Sequence, residues 1–186
     1  AAGGGGDAAE PEPKRRRILD PGGPIEDDET ARQKMRDAHV YTRGVNGTTG
    51  EYAGFDPDNV GGVKSQQFFD AGMHTSHAIT AMGYFAMKGD LPMMRWLYVN
   101  GADTRGEEIK RWVPMITAAQ FEHLDICKWL FRHGAAGDIK RRAHNGLTPL
   151  CASFGKPQSR NISRWLILKG ALCKDDDTGD LDIDLM

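Results

Sequence analysis

The chain has 186 residues, which suits one domain with extensions, because domains most often contain about 100–150 residues. Its composition, 39% hydrophobic and 27% charged, is that of a globular protein, and no apolar run approaches the roughly 20 residues that a membrane-spanning helix needs. The formal net charge of -2 gives no overall basic field, which argues against nucleic acid as a partner.

Residues 1–74 lack the repeated pattern of the later chain and are predicted to form an extended, largely irregular arm. The segment Ala1–Ile25 is rich in Gly, Pro and charge, and Tyr41–Val63 is Gly-rich and aperiodic. Such segments bury too little apolar surface to form a core of their own. We therefore expect a linker, or an arm that follows a partner's surface and is disordered in the isolated protein.

One short helix is predicted within the arm, near residues 27–39. Asp27 or Asp28 stands where a capping side chain is needed. Three apolar positions follow at helical spacing: Ala31, Met35 and Ala38. The stripe is thin, so we expect a single helix with a narrow buried face.

The first part of the arm, Ala1–Ile25, also contains one dense basic run. Its members are Lys14, Arg15, Arg16 and Arg17. Together with Pro13 the run resembles a nuclear import signal. The reading that we favour is a basic stretch that pairs with an acidic neighbour.

From Thr75 onward the sequence repeats. Three stretches each contain one or two apolar residues, a basic residue, Trp-Leu and a closing Gly-Ala in the same order. They are Gly89–Ala102, Glu122–Ala135 and Ser159–Ala171. The tryptophans of the first two stretches lie 33 positions apart, and those of the last two lie 36 apart. A period near 33 residues is typical of stacked helix pairs.

A shorter helix is expected to precede each stretch, at residues 80–86, 113–119 and 146–151. Pro114 and Pro149 fall in the first turn, where proline loses no needed hydrogen bond. Glycines that end the second helices in a left-handed conformation are predicted at the three closures: Gly101, Gly134 and Gly170. Each unit is therefore expected to bury its apolar face against a neighbouring unit.

These positions resemble the ankyrin repeat family. The match to its Thr-Pro-Leu-His, Ala-Ala and Gly-Ala pattern is strongest at Gly146–Leu150, at Ala118-Ala119 and at the closures. The Lys-Trp-Leu sequence at Lys128–Leu130 is similar to ankyrin families expanded in single-celled eukaryotes. The resemblance implies an all-α fold, a short ankyrin-repeat solenoid of stacked helix-turn-helix units with hairpin-finger loops, preceded by the irregular arm.

The implied domain organisation is an arm at 1–74, a repeat stack at 75–173 and an acidic tail or start of a cap at 174–186. Within the stack, the units are expected at about 75–105, 106–138 and 139–173. Three repeats are close to the minimum for stability, and the terminal units need cover. We expect Val63–Phe69 and Met73 to provide it at the N-terminal end. The apolar pattern that begins at Leu181 indicates a fragment of a longer protein or an incomplete tail.

The pattern favours no catalytic or cofactor chemistry. His123 and Cys127 lie four positions apart, which is a workable metal half-site, but no second half-site stands at suitable spacing. No nucleophile, base and acid can be placed together, because every candidate already has a place in the repeat core. We therefore expect no enzyme activity, no cofactor and no bound metal.

The two fingers between the units carry the strongest binding signal. The first finger, residues 103–112, contains Arg105, Lys110 and Arg111, and the second, residues 138–145, contains Lys140, Arg141, Arg142 and His144. Stacked side by side, the fingers are predicted to form a cationic ridge. Its expected counterpart is an acidic protein surface or a lipid head group. Inner-helix positions, among them Tyr84, Thr117 and Phe121, are expected to flank the ridge, with Phe121 as an exposed anchor.

These features predict a non-catalytic scaffold, an accessory subunit that holds neighbouring proteins together in a larger complex through the stack and the arm. Two alternatives stay open. One is a free regulatory adaptor, for which the nucleus is one candidate compartment. The other is a regulatory ankyrin segment of a longer protein.

Cys127 and Cys151 fall on apolar helical faces, which predicts core thiols in an intracellular protein. The chain does not begin with Met, which is compatible with a removed targeting peptide. Cytosol, nucleus and an organelle therefore all remain open as the compartment.

Overall fold

The structure is a computed structural model that describes residues 20–41, 51–67, 76–105, 112–143, 145–154 and 159–172. The helices are α1 (Asp28–Asp37), α2 (Ala81–Lys88), α3 (Leu91–Val99), α4 (Pro114–Gln120), α5 (Leu124–Arg132), a 3-10 helix (Ala136–Lys140), α6 (Pro149–Ala152) and α7 (Ser159–Leu168). The strands are β1 (Val40–Tyr41), β2 (Tyr52–Ala53), β3 (Val63–Gln67) and β4 (Ser76–Thr80).

Three helix pairs, α2–α3, α4–α5 and α6–α7, form the stack. The first helices of the pairs line up, with α4 packed between α2 and α6. Thr80 caps α2, Asp90 caps α3 and Thr148 caps α6, each accepting a hydrogen bond of 3.1 Å from an amide three residues on. The all-α repeat solenoid predicted from the sequence is confirmed.

Left-handed residues close the turns of each unit. The three closing glycines, Gly101, Gly134 and Gly170, have φ values of 97°, 109° and 85°, as the sequence predicted. The turn inside each of the first two pairs also needs a positive φ. Gly89 provides it in the first unit with φ 78°, and Glu122 takes the same place in the second with φ 67°.

Aromatic contacts join the second helices of successive units. Tyr98 meets the edge of Trp129 with ring centroids 5.6 Å apart, and Phe131 meets Trp165 in the same way at 5.7 Å. Both contacts are T-shaped, which is a favoured arrangement of aromatic rings. The same pair of positions therefore joins unit one to unit two and unit two to unit three.

The arm packs against the first unit. Ala31 and Met35 of α1, together with Val40 and Phe55, belong to the same buried cluster as the repeat helices. Asp27 caps α1 by accepting a hydrogen bond from the Thr30 amide, which lowers the pKa of the Asp27 carboxyl. The arm was expected to lack structure without a partner, but its described part folds onto this chain's own repeats.

A close backbone approach holds the two described parts of the arm together. The Phe55 amide donates a 2.7 Å hydrogen bond to the Met35 carbonyl. A Cβ at Gly54 would lie 1.8 Å from the Arg36 carbonyl oxygen, so only glycine fits there. Phe55 is thereby placed 5.8 Å from the Tyr84 ring, over the first unit.

The N-terminal cover of the stack was predicted at Val63–Phe69 and Met73, and the structure describes only part of that stretch. Of the predicted residues, Val63 is exposed in strand β3, while Phe69 and Met73 lie outside the described residues. Among the described residues, helix α1 and Phe55 cover the first unit. The prediction followed apolar residues close to the repeats in sequence, whereas the covering residues come from further back in the chain.

Two short antiparallel sheets accompany the stack. Strands β1 and β2 pair Val40 with Ala53, and β3 and β4 pair Val63 with Thr80. The β3–β4 pair leads directly into α2, because Thr80 is both the last residue of β4 and the cap of the helix. No strand was predicted in this part of the chain, since its residues do not alternate in polarity.

The two described cysteines differ in their surroundings. Cys127 is fully buried on α5, and burial raises its pKa to about 12. Cys151 is exposed on α6, so the expectation of a core thiol is wrong there. The helix α6 is only four residues long, and it buries Pro149 and Leu150 rather than Cys151.

Replacing Met35 with alanine is expected to destabilise the whole stack. The side chain is fully buried, and loss of a buried Met typically costs about 2–5 kcal/mol. The matched control is Ile25→Ala, because Ile25 is an exposed arm residue. Urea unfolding of both variants measures the difference. Equal, small effects of the two changes would show that the arm is not part of the folded core.

The thiols are expected to react at very different rates with iodoacetamide near neutral pH. The thiolate is the reactive form, and burial keeps Cys127 protonated while Cys151 meets solvent. In a Cys173→Ser background, mass spectrometry of the native chain should find the label on Cys151, with Cys127 labelled only after unfolding. Similar labelling rates at both positions in the native chain would contradict the packing of α5.

Candidate interaction surfaces

The two fingers lie side by side and are joined through their arginines. Arg141 of the second finger donates a hydrogen bond of 3.0 Å to the carbonyl of Arg105 in the first. The Arg105 amide in turn bonds the Asp103 carboxylate at 2.9 Å. The structure therefore brings these two predicted cations together, because equivalent loops of stacked units are neighbours.

An open depression of about 500 Å³ lies between the fingers. Its lining consists of Arg105, Gly137, Asp138, Lys140 and Arg141. Arg105 and Lys140 are exposed, Arg141 is half-buried, and Arg142, next in the chain, is exposed. The predicted ridge is thus a groove with cationic walls, large enough to receive a side chain of a partner.

The single carboxylate in the groove lining is withdrawn from solvent. Asp138 is buried, and its Oδ1 atom lies 3.7 Å from Nη1 of Arg141. Burial raises the pKa of Asp138, and the charges of Arg141 and Arg105 oppose that rise. Because the carboxylate is buried and most of the cationic groups are not, the charge that a partner would meet here is positive.

Several predicted binding residues fall outside the described part of the chain. They are Lys110, Arg111, His144 and the basic run Lys14, Arg15, Arg16 and Arg17. Their place in a binding surface stays a prediction. The part of the ridge that the structure describes consists of Arg105, Lys140, Arg141 and Arg142.

The inner-helix residues predicted beside the ridge are less accessible than expected. Tyr84 is only 7% exposed, because Phe55 of the arm and Phe85 pack against its ring, and burial raises the pKa of its phenol. Thr117 is buried and bonds the Val113 carbonyl at 3.0 Å. Neither can present its side chain to a partner in this structure. Phe121 is partly buried against the core at the end of α4.

A second surface, which the sequence did not reveal, lies on the second helices of the first two units. Residues Asp20–Asp28, called the strap below, cross it. Trp129 donates its indole N–H to the Pro21 carbonyl at 2.7 Å, and Arg95 donates to the Pro24 carbonyl at 3.1 Å. Two further bonds complete the contact: the Glu26 amide to the Pro92 carbonyl at 3.2 Å, and the Trp96 indole to the Asp28 carboxylate at 3.2 Å.

The centre of the strap depends on two glycines. Gly22 has φ 70° and Gly23 has φ 145°. Residues with a Cβ rarely adopt φ values in this range. A Cβ at Gly22 would lie 2.7 Å from the His133 ring, and one at Gly23 would lie 2.7 Å from the Arg95 guanidinium. The Pro-Gly-Gly-Pro sequence, which composition alone assigns to a linker, is therefore fitted to this surface.

An ion-pair cluster anchors the C-terminal half of the strap. Lys34 of α1 contacts Glu26, and its Nζ lies 2.7 Å from the Asp90 carboxylate. Partial burial lowers the pKa of Lys34, but the hydrogen bonds and charges of Asp90 and Glu26 outweigh it and raise the pKa above its ordinary value. The strap, α1 and the cap of α3 are thus connected through one ammonium group.

The metal half-site considered from the sequence is engaged in packing. His123 contacts the Met87 carbonyl through Nε2 at 3.2 Å, and Cys127 is fully buried. Within the described ranges, no three His, Cys, Asp or Glu side chains are grouped as metal ligands. The same part of the chain contains no helix with the length and apolar character to cross a membrane.

Comparison with known proteins agrees with the helix pairs and their closing glycines. Ankyrin repeats, in three copies, match residues 67–177, which is more than half of the chain. No curated protein sequence matches. The matched range contains all three helix pairs and both fingers, and the chain belongs to the ankyrin repeat family.

Proposed function

We propose that this protein is a non-catalytic scaffold, an accessory subunit that holds neighbouring proteins together in a larger assembly. Ankyrin repeats are protein-protein interaction modules, and the family is typically non-catalytic. The observation that carries the proposal is the cationic groove between the fingers, where Arg141 joins Arg105 and Lys140 faces solvent. An exposed positive groove on a chain of net charge -2 suits a specific acidic partner.

The proposed partner of the groove is an acidic protein surface. Exposed cations such as Arg105, Lys140 and Arg142 attract carboxylates over several ångströms and accelerate association at low salt. Each exposed pair contributes at most about 1 kcal/mol, so the groove orients a partner rather than providing all of the affinity. The remaining affinity is assigned to apolar contacts, of which partly buried Phe121 is the predicted centre.

The arm is proposed to be the second point of attachment. Its strap already binds the outer helices through backbone carbonyls at Pro21 and Pro24. In the sequence, the basic run Lys14–Arg17 directly precedes the strap. We assign that run to an acidic neighbour in the same assembly. An assembly inside a cell is consistent with the exposed free thiol of Cys151.

A second candidate is a free regulatory adaptor that enters the nucleus, which the sequence Pro13–Arg17 favours. The two functions differ in what that run does. Replacing Lys14–Arg17 with alanines should move the adaptor out of the nucleus, whereas in a scaffold it should weaken assembly without a change of compartment. Imaging of the tagged chain in its own cells separates them.

Charge reversal in the groove is expected to release the protein from its assembly. In Arg105→Glu/Lys140→Glu, the fraction of tagged chain that co-sediments with large complexes in extracts of its own cells should fall about threefold to tenfold, because two attractive contacts become repulsive. The control Arg36→Glu/Lys88→Glu makes the same change in net charge at exposed positions away from the fingers.

The control variant should sediment like the unmodified chain, and association of the unmodified chain should weaken as ionic strength rises. Equal sedimentation of the two double variants would remove the groove as the attachment site. Sedimentation of the unmodified chain as a monomer at low salt would overturn the scaffold proposal itself.

A further inference from the structure

The three units carry the same basic-Trp pair on their second helices. These pairs are Arg95-Trp96, Lys128-Trp129 and Arg164-Trp165. In the first two units the strap covers the tryptophans, which are 3% and 4% exposed. Both indoles donate to the strap, one to a side-chain carboxylate and one to a backbone carbonyl. In the first unit Arg95 also donates to the strap, so the outer face of these two units binds a segment of polypeptide through its tryptophans and Arg95.

The tryptophan of the third unit packs against the preceding unit as that of the second unit does. Trp165 meets Phe131 at 5.7 Å and 81°, and Trp129 meets Tyr98 at 5.6 Å and 87°. Trp165 is nevertheless only partly buried, and no described residue accepts a hydrogen bond from its indole. Three positions further on, Leu168 is 76% exposed, the most exposed large apolar side chain among the described residues.

The charge on this face indicates what would cover it. Helix α7 carries Arg160 and Arg164, both exposed, with Lys169 just after it and no acidic residue along its length. The strap that binds the equivalent faces contributes carboxylates from Glu26 and Asp28 to its contacts. A basic face with an apolar side chain and an indole donor that no described residue accepts is complementary to an acidic extended segment.

We propose that the outer face of the third unit, formed by Arg164, Trp165 and Leu168, binds an acidic, extended polypeptide segment of a partner protein. The Trp165 indole donates to a carbonyl or carboxylate of that segment, as Trp129 and Trp96 do to the strap. Arg164 takes the place that Arg95 has at the Pro24 carbonyl. Leu168 packs against an apolar side chain of the segment. The site goes beyond the groove between the fingers and shares no residue with it.

The test uses a synthetic peptide with the sequence of residues 20–28, added to the full chain. In NMR spectra of the ¹⁵N-labelled protein, the Trp165 indole resonance should move and saturate, while those of Trp96 and Trp129 stay in place because the chain's own strap holds them. A peptide with its acidic residues changed to Asn and Gln should bind more weakly. The change at Trp165 reports the site directly.

Two variants and a control test whether the peptide binds at this face. Arg164→Glu and Leu168→Asp alter exposed side chains and should each weaken peptide affinity about tenfold, since one reverses a charge and the other removes an apolar contact. Arg142→Glu, in the cationic ridge, should bind the peptide like the unmodified chain. The two proposals can fail separately. Sedimentation of the ridge variants tests the proposed function, and peptide binding at Trp165 tests this site.

Three results would overturn the proposal. One is no movement of the Trp165 resonance at millimolar peptide. Another is movement confined to Trp96 and Trp129, which would mean that the peptide only replaces the strap. The third is a Trp165 resonance that already shifts when residues 1–19 or 174–186 are deleted from the chain without peptide, which would assign the face to the chain's own terminal residues.

Discussion

The side chain of Trp129 holds the first two units and the strap together. Tyr98 of the preceding unit meets its edge at 5.6 Å, and His133 stacks on its face at 4.7 Å. Its indole N–H bonds the Pro21 carbonyl at 2.7 Å. A buried indole without an acceptor would be costly, so the stack and the strap each satisfy a requirement of the other. A three-unit solenoid, close to the minimum for stability, gains cover from this arrangement.

The repeat stack could be predicted from the sequence because its signals recur. The spacing of the tryptophans and the closing glycines set the period, and a period needs no knowledge of distant contacts. The cover of the first unit could not be predicted in this way. Met35 and Phe55 meet across an aperiodic segment through one backbone hydrogen bond and the close approach at Gly54. The helical stripe predicted that Met35 is buried but not what covers it, and nothing local in that segment marks Phe55 as buried.

The same distinction explains the success and the errors at the candidate site. Arg105 and Arg141 could be placed together because equivalent loops of stacked units must be neighbours. Tyr84 was placed at the surface because its helix position is usually open, and a segment outside the repeats buries it. Cys151 shows the opposite error: an apolar helical pattern predicted burial, but the residue is exposed on a helix of only four residues, which buries Pro149 and Leu150. The repeat pattern predicts which residues of successive units are neighbours, but it does not predict how exposed each side chain is in this chain.

Negative and positive side chains are unevenly distributed over this chain of net charge -2. Carboxylates of the strap, such as Glu26 and Asp28, contact Lys34 and Trp96, so part of the negative charge is engaged within the molecule. The positive side chains of the fingers remain at the surface, while Asp138 between them is buried. An average near neutrality therefore hides an acidic segment bound internally and a basic groove left open. Ion pairs of Lys34 with Glu26 and Asp90 already join the arm to the repeats. The same pairing of a cation with carboxylates, at the exposed groove, suits the protein to bind an acidic partner.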